Sequence, residues 1–247
     1  MGLICLPIIL FLYWLMLHYK NETPFPKWGV LCLILAGAAS AIVASLLYNP
    51  LTSVATQIYG ADNPKPSFLW NTLSMFITAG LGEELYKFIA CRIAIIRKGM
   101  VRTWMDCVIA FATVGITFQL IENIVYGMRS GVAGAIARAI CPGHFIFGVI
   151  MGYLYGKYRV SGQKKFLVLC YAVPVVLHTI MDMFLQSADL GKPYLYLALA
   201  TAIAFIAGTV VTVIKVLRWQ KNKTLDVPLI DALEQEAPES QEELPAE

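Results

Sequence analysis

Seven apolar stretches, each close to the length that crosses a bilayer as a helix, take up most of this chain. They fall at about 1–18, 28–48, 70–96, 105–127, 138–156, 166–187 and 193–215. A hydrocarbon core of about 30 Å is spanned by roughly 20 helical residues, so each stretch is expected to be a transmembrane helix. The fold class is therefore all-α, a polytopic integral membrane helix bundle of about seven spans. Composition agrees: 58% of residues are hydrophobic, 14% are charged, and the mean hydropathy is +0.67. A soluble globule is excluded, since so few polar residues cannot cover its surface.

The breaks between spans carry turn and charge chemistry: KNETPFPK, NPLTSVATQIYGADNPKPS, RKGMVR, RSG, KYRVSGQKK and DLGKP. The first span has no basic residue before it and no small-residue cleavage site after it, so it reads as a retained anchor rather than a signal peptide. Thirteen Lys and Arg residues lie after spans one, three, five and seven, against four in the opposite set. By the positive-inside rule the N-terminus is outside and the C-terminus cytoplasmic. The sequons at Asn21 and Asn222 then both face inward and stay unmodified. The six cysteines stand singly, with no zinc or disulfide spacing. No nucleic-acid motif or phosphate loop is present, so the expected partners are the lipid bilayer and membrane proteins, with no nucleic acid.

The formal charge of +3 conceals two unlike parts. Residues 1–223 hold 19 basic and 8 acidic side chains, and 224–247 hold 8 acidic and none basic. The chain divides into a transmembrane domain over 1–218, with a core at about 72–186, and an acidic cytoplasmic tail over 219–247. That tail, poor in apolar residues and uniform in charge, is expected to be disordered.

Spans one, two and seven have uncharged interiors, whereas spans three to six do not. They contain Glu83, Glu84 and Lys87 in GEELYKF, Glu122 and Asn123 in FQLIENIVYG, His144 in PGHFIFG, and His178 with Asp182 in LHTIMDMF. A charged residue at mid-bilayer costs about 2.5–3.5 kcal/mol, so these five charges would cost roughly 12–18 kcal/mol if scattered into lipid. They must share one wet, mutually satisfied pocket. Helical periodicity puts Glu83 and Lys87 one turn apart with Glu84 adjacent, and His178 above Asp182. At about 1.5 Å per residue, all of these groups lie about 9–20 Å below the same outer face.

Four carboxylates and one ammonium leave a formal excess of negative charge. Carboxyls that share protons, a bound cation, or an approach by Arg92 or Arg138 would each resolve it. Shared protons suit general acid/base chemistry. A divalent metal such as zinc would instead take His144, His178 and Glu122, leaving a fourth place for water. There is no HExxH motif.

In this order, each inside a span, the motifs EExxK (Glu83, Glu84, Lys87), Phe118 to Glu122 and Asn123, His144, and His178 to Asp182 resemble the PrsW family of bacterial intramembrane proteases. That family is similar to the type II CaaX prenyl-proteases and to a scaffold subunit of gamma-secretase. The resemblance implies a four-helix catalytic core and peptide-bond hydrolysis in the bacterial cell membrane. It also implies a single-span, anti-sigma-factor-like membrane protein as substrate. Where the prenyl-proteases have EExxxR and a His ending the second motif, this chain has Lys87 and Glu122.

On this reading a glutamic mechanism with no cofactor is expected, with zinc as the alternative. Glu83 is the general base, and His178 holds the water. Glu84 is oriented by Lys87. His144 and Asn123 stabilise the oxyanion, and Asp182 sets the position or charge of His178. Two rival readings are a non-catalytic scaffold and a proton- or cation-coupled transporter. The paired glutamates speak against the first, and the lack of matching broken helices in two inverted halves against the second.

Overall fold

The computed structural model describes residues 6–19, 27–60, 64–95, 100–127 and 140–230. Among these residues the chain forms seven helical rods and no strand. They are α1 (Leu6–Leu17), α2 (Lys27–Tyr59), a third rod made of α3 (Phe68–Met75), a π-helical stretch (Phe76–Glu83) and α4 (Glu84–Ala94), then α5 (Trp104–Gly127), α6 (Gly143–Ser161), α7 (Lys164–Gln186) and α8 (Lys192–Asn222). A 3-10 turn, Ala188–Leu190, precedes α8. Four rods, α2, α5, α7 and α8, are long and apolar enough by themselves to cross a membrane. The third rod and α6 carry the polar motifs that dilute their hydropathy. Arg138 lies outside the described residues.

The rods alternate in direction. Tyr19, after α1, donates its hydroxyl to Asp226, after α8, and Leu229 N–H reaches Arg102 O, just before α5, at 2.9 Å. Gly162, between α6 and α7, faces Ile230. All four odd-numbered breaks therefore meet on one face, the face richer in Lys and Arg. At the other face Asn71 of α3 donates to Gln186 O at the end of α7 at 3.2 Å, and Phe68 stacks on Tyr194 of α8.

Two boundaries differ from expectation. The polar segment after residue 48, expected to be a break, continues α2 to Tyr59 despite Pro50. Proline removes one backbone donor, and the helix continues past it; on the same turn the hydroxyls of Thr52 and Ser53 bond back to Tyr48 O at 2.8 Å and Asn49 O at 3.0 Å. At the other end, the tail boundary placed at 219 falls inside α8. Residues 225–229, expected to be free, are packed: Leu225 and Leu229 are buried, Thr103 and Pro228 form an antiparallel bridge, and Trp104 N–H bonds Val227 O at 2.9 Å. Leu225 and Leu229, four apart, anchor this segment together with its backbone bonds to residues 102–105. Residues 231–247, the rest of the acidic stretch, lie outside the described residues.

The α5–α6 pair is the most extensive contact in the molecule, and small residues explain it. Gly148, Gly152 and Gly156 recur every four residues along one side of α6. A Cβ added at Gly148 would lie 2.6 Å from Phe111 O, and one at Gly152 would lie 2.6 Å from Cys107 O. The helices touch backbone to backbone, which in lipid gives dispersion contact that larger side chains would prevent. Around this seam Val108, Ala112, Phe145 and Val149 form one core cluster, and Phe111, Met151 and Tyr155 a second.

Gly152→Leu is expected to force the two helices apart and destabilise the fold by about 1–3 kcal/mol or more, the scale of an overpacked core. The buried thiols of Cys91, Cys107 and Cys170 report this directly. Labelling by a thiol-reactive dye on heating should set in at a lower temperature in the variant, and an unchanged midpoint would refute the close-packing account.

Candidate active site

The third rod delivers the first site residues through its π-helical turn. Widened i→i+5 turns are rare and recur at functional sites. Here the stretch FITAGLGE ends at Glu83, and Tyr171 of α7 donates its hydroxyl to Leu81 O at 2.9 Å. Regular α-geometry resumes at Glu84. Glu84 pairs with Lys87 at 2.6 Å across i,i+3, while Glu83, about 100° round the helix, faces His178 of α7 at 3.9 Å.

Lys87 is the hub of the network. Its ammonium donates to Glu84 Oε1 at 2.6 Å and to His144 Nδ1 at 2.7 Å, and it sits 4.3 Å from the centre of the Phe118 ring. The side chain is only 5% exposed, so these contacts replace its hydration. A nitrogen that accepts from an ammonium carries no proton. His144 therefore bears its proton on Nε2, which donates to Glu122 Oε2 at 2.7 Å.

His178 is oriented from the other side of the same carboxylate. Its Nδ1 lies 2.7 Å from Glu84 Oε1, leaving Nε2 to face Asp182 Oδ2 at 3.3 Å and Glu83 Oε2 at 3.9 Å. The two imidazole rings stand perpendicular with centroids 4.9 Å apart, and Phe147 packs on His178. Glu83 Oε2 is a buried oxygen that makes no hydrogen bond. An acceptor left open beside two histidines is ready for water or a cation.

All eight residues singled out in the sequence lie in or beside this cluster. Seven of them join in the contacts just described. Asn123 is set back: buried, it accepts at Oδ1 from Gln119 Nε2 at 2.9 Å. Gln119 itself was not anticipated. Its Oε1 accepts from the backbone N–H of His144 at 3.3 Å, in the first turn of α6, where N–H groups lack helical partners and where Pro142 supplies no side-chain cap. Gln119 thus caps α6 from α5 and holds His144 in place. Its only mark in the sequence is amide spacing four residues before Asn123. Gly115, one turn earlier, packs directly on His144 O.

A cavity of ≈ 120 Å³ opens onto the two histidines, with Glu122, Asp182 and Gln119 on its polar side. The donor set also fits a metal. Glu83, His144 and His178 each offer one ligand atom, all within 4.8 Å of one another. Tetrahedral zinc at about 2.0–2.1 Å needs ligand atoms roughly 3.3 Å apart, so a modest contraction would close the set. Glu83 stands in this set where Glu122 was expected; Glu122 bonds His144 Nε2 and Lys87 bonds Nδ1, so His144 would have to give up one of these partners to ligate a metal.

Comparison with known proteins gives the chain its relatives. The profile of the PrsW family intramembrane metalloprotease matches residues 25–214. The chain is 27% identical to Protease PrsW of Oceanobacillus iheyensis over 174 residues, covering 69% of this chain and 76% of that protein. It is 26% identical to Protease PrsW of Clostridioides difficile over 193 residues, covering 73% and 76%. With Protease PrsW of Bacillus subtilis it shares 35% identity over 117 residues, covering 45% of this chain and about half, 54%, of the relative. No solved structure matches it.

Lys87→Met should strand the Glu84 carboxylate and destabilise the protein by about 3–5 kcal/mol, as breaking one side of a buried pair does. The double variant Glu84→Gln with Lys87→Met should recover much of that loss. Thermal unfolding in detergent checks both, and a Lys87→Met midpoint equal to that of the parent protein would show the pair to be dispensable.

Proposed function

The chain belongs to the PrsW family of intramembrane proteases, and from that premise we propose that Glu83 and His178 activate a water molecule to hydrolyse a peptide bond of a membrane-anchored protein. The observation that carries this reading is the open Glu83 Oε2, buried within the histidine cluster. Glu83 takes a proton from water as the water oxygen bonds to the scissile carbonyl carbon. The same proton then passes to the departing amine as the C–N bond breaks. His178 holds the water, its ring fixed by Glu84 at Nδ1, and Asp182 faces the working nitrogen.

His144, with a proton on Nε2, is placed to donate to the developing oxyanion once Glu122 releases it. Lys87 and Gln119 are positioning residues, the first for Glu84 and His144, the second for the start of α6. Asn123 acts through Gln119. The motifs support an anti-sigma-factor-type, single-span substrate. The basic face supports a cytoplasmic C-terminus and an N-terminus outside.

A second reading is favoured by the same triad and by the family's description as metalloproteases. Glu83, His144 and His178 would hold a divalent metal such as zinc, which when bound supplies Lewis-acid polarisation and an acidified water.

Glu83→Gln, assayed on a tagged single-span substrate in proteoliposomes, should lose about 10²- to 10⁴-fold in rate, the usual contribution of a general base. Retained activity would rule out the base assignment, and no cleavage by the parent protein would leave the scaffold or transporter readings. Chelation with metal analysis separates the two mechanisms: full activity in metal-free protein ends the metal reading, and loss restored by zinc ends the purely glutamic one. Green fluorescent protein fused after the last residue should fluoresce and alkaline phosphatase there should be inactive. The reverse pattern would invert the assigned orientation.

A further inference from the structure

The cavity beside the histidines has a lining of two chemical kinds. Glu122, His144, His178 and Asp182 make the polar part, and Cys141, Met181, Leu185 and Ala202 the apolar part. Met181 is held there by its neighbour, since its thioether rests on Gly143, where a Cβ would meet Sδ at 2.8 Å. Ala202 comes from α8, a rod with no charged residue in its bilayer-crossing interior and no part in the catalytic network. It is nevertheless the residue through which α8 reaches the site. A larger side chain at that position would project into the cavity.

The volume limits what can occupy this space. At ≈ 120 Å³ it holds on the order of ten waters, far less than a helix about 10–12 Å across. The scissile carbonyl of a transmembrane substrate reaches the histidines here once the helix unwinds locally and offers an extended segment. In such a segment side chains project away from the backbone, and one flanking a carbonyl set against the histidines has the apolar part of the same lining beside it.

We propose that Met181, Leu185 and Ala202 form a binding subsite for one apolar side chain next to the scissile bond, with Ala202 setting the largest size admitted. The substrate class follows: membrane proteins with a locally unwound segment and an aliphatic residue of moderate size beside the cleaved bond. The subsite rests on the peptidase reading above. Desolvating an aliphatic group against this lining discriminates by its fit, since each methylene gained or lost in such a pocket is worth about 10- to 200-fold.

The test uses full-length protein in proteoliposomes and three versions of one single-span substrate, differing only by Ala, Leu or Phe at the residue flanking the cut. Product masses first locate the cut with the parent protein. Ala202→Phe should reduce Leu-substrate cleavage relative to Ala-substrate by about tenfold or more, and Leu185→Ala should raise relative cleavage of the Phe substrate. The two variants change volume in opposite directions, so a folding defect in one leaves the other decisive. Unchanged relative rates and cut positions in both, with cleavage intact, would overturn the subsite alone. No cleavage of any substrate by the parent protein would overturn the peptidase reading and the subsite together.

Discussion

Burying one ammonium is the constraint on which the rest of the site depends. Lys87 has left water almost completely, and a lone cation in such surroundings would cost several kcal/mol. Its compensation comes from three different rods: Glu84 beside it, His144 on α6 and the Phe118 face on α5. Through Glu84 the same charge reaches His178 on α7. No pair of these helices can shift alone without leaving a polar group unsatisfied. The ion network therefore acts as a register pin for the four-helix core, and it also fixes which histidine nitrogens carry protons.

Backbone geometry makes that network attainable. Glycines along α6 let it lie against α5 closely enough for Gln119 to cap its first turn, and the step of about 100° between neighbouring helical residues turns the two adjacent glutamates to different partners. Glu84 is closed into the structural network, whereas Glu83 keeps an oxygen open. Two neighbouring residues of one type thus differ because one is fully hydrogen-bonded and the other is not.

Much of this was legible beforehand. The helical spans, the alternation of helices and the meeting of Glu83, Glu84, Lys87, Glu122, His144, His178 and Asp182 all follow from periodicity and the cost of charge in lipid. The reading faltered where a local signal competed with tertiary contact. Asn49 and Pro50 signal a turn, but α2 runs through them. The acidic tail has the composition of a free segment, yet Leu225 and Leu229 find a groove. Gln119 carried no mark of a site residue, yet it lines the cavity, caps α6 and bonds Asn123, because interhelical contact rather than spacing brings it there.

The sequence by itself determined a helical membrane bundle, the four rods that must converge, and the residue types at their meeting point. Hydrophobic length and intramembrane charge cost act locally, and each can be read from a single span. Tertiary structure alone decided that one oxygen of Glu84 is shared by Lys87 and His178, that Glu83 keeps an open oxygen beside the histidines, and that an alanine on the last helix borders the cavity. Those outcomes depend on helix phase and interhelical distance. Glycine contacts between helices set the distance, and residue spacing along one helix does not record it.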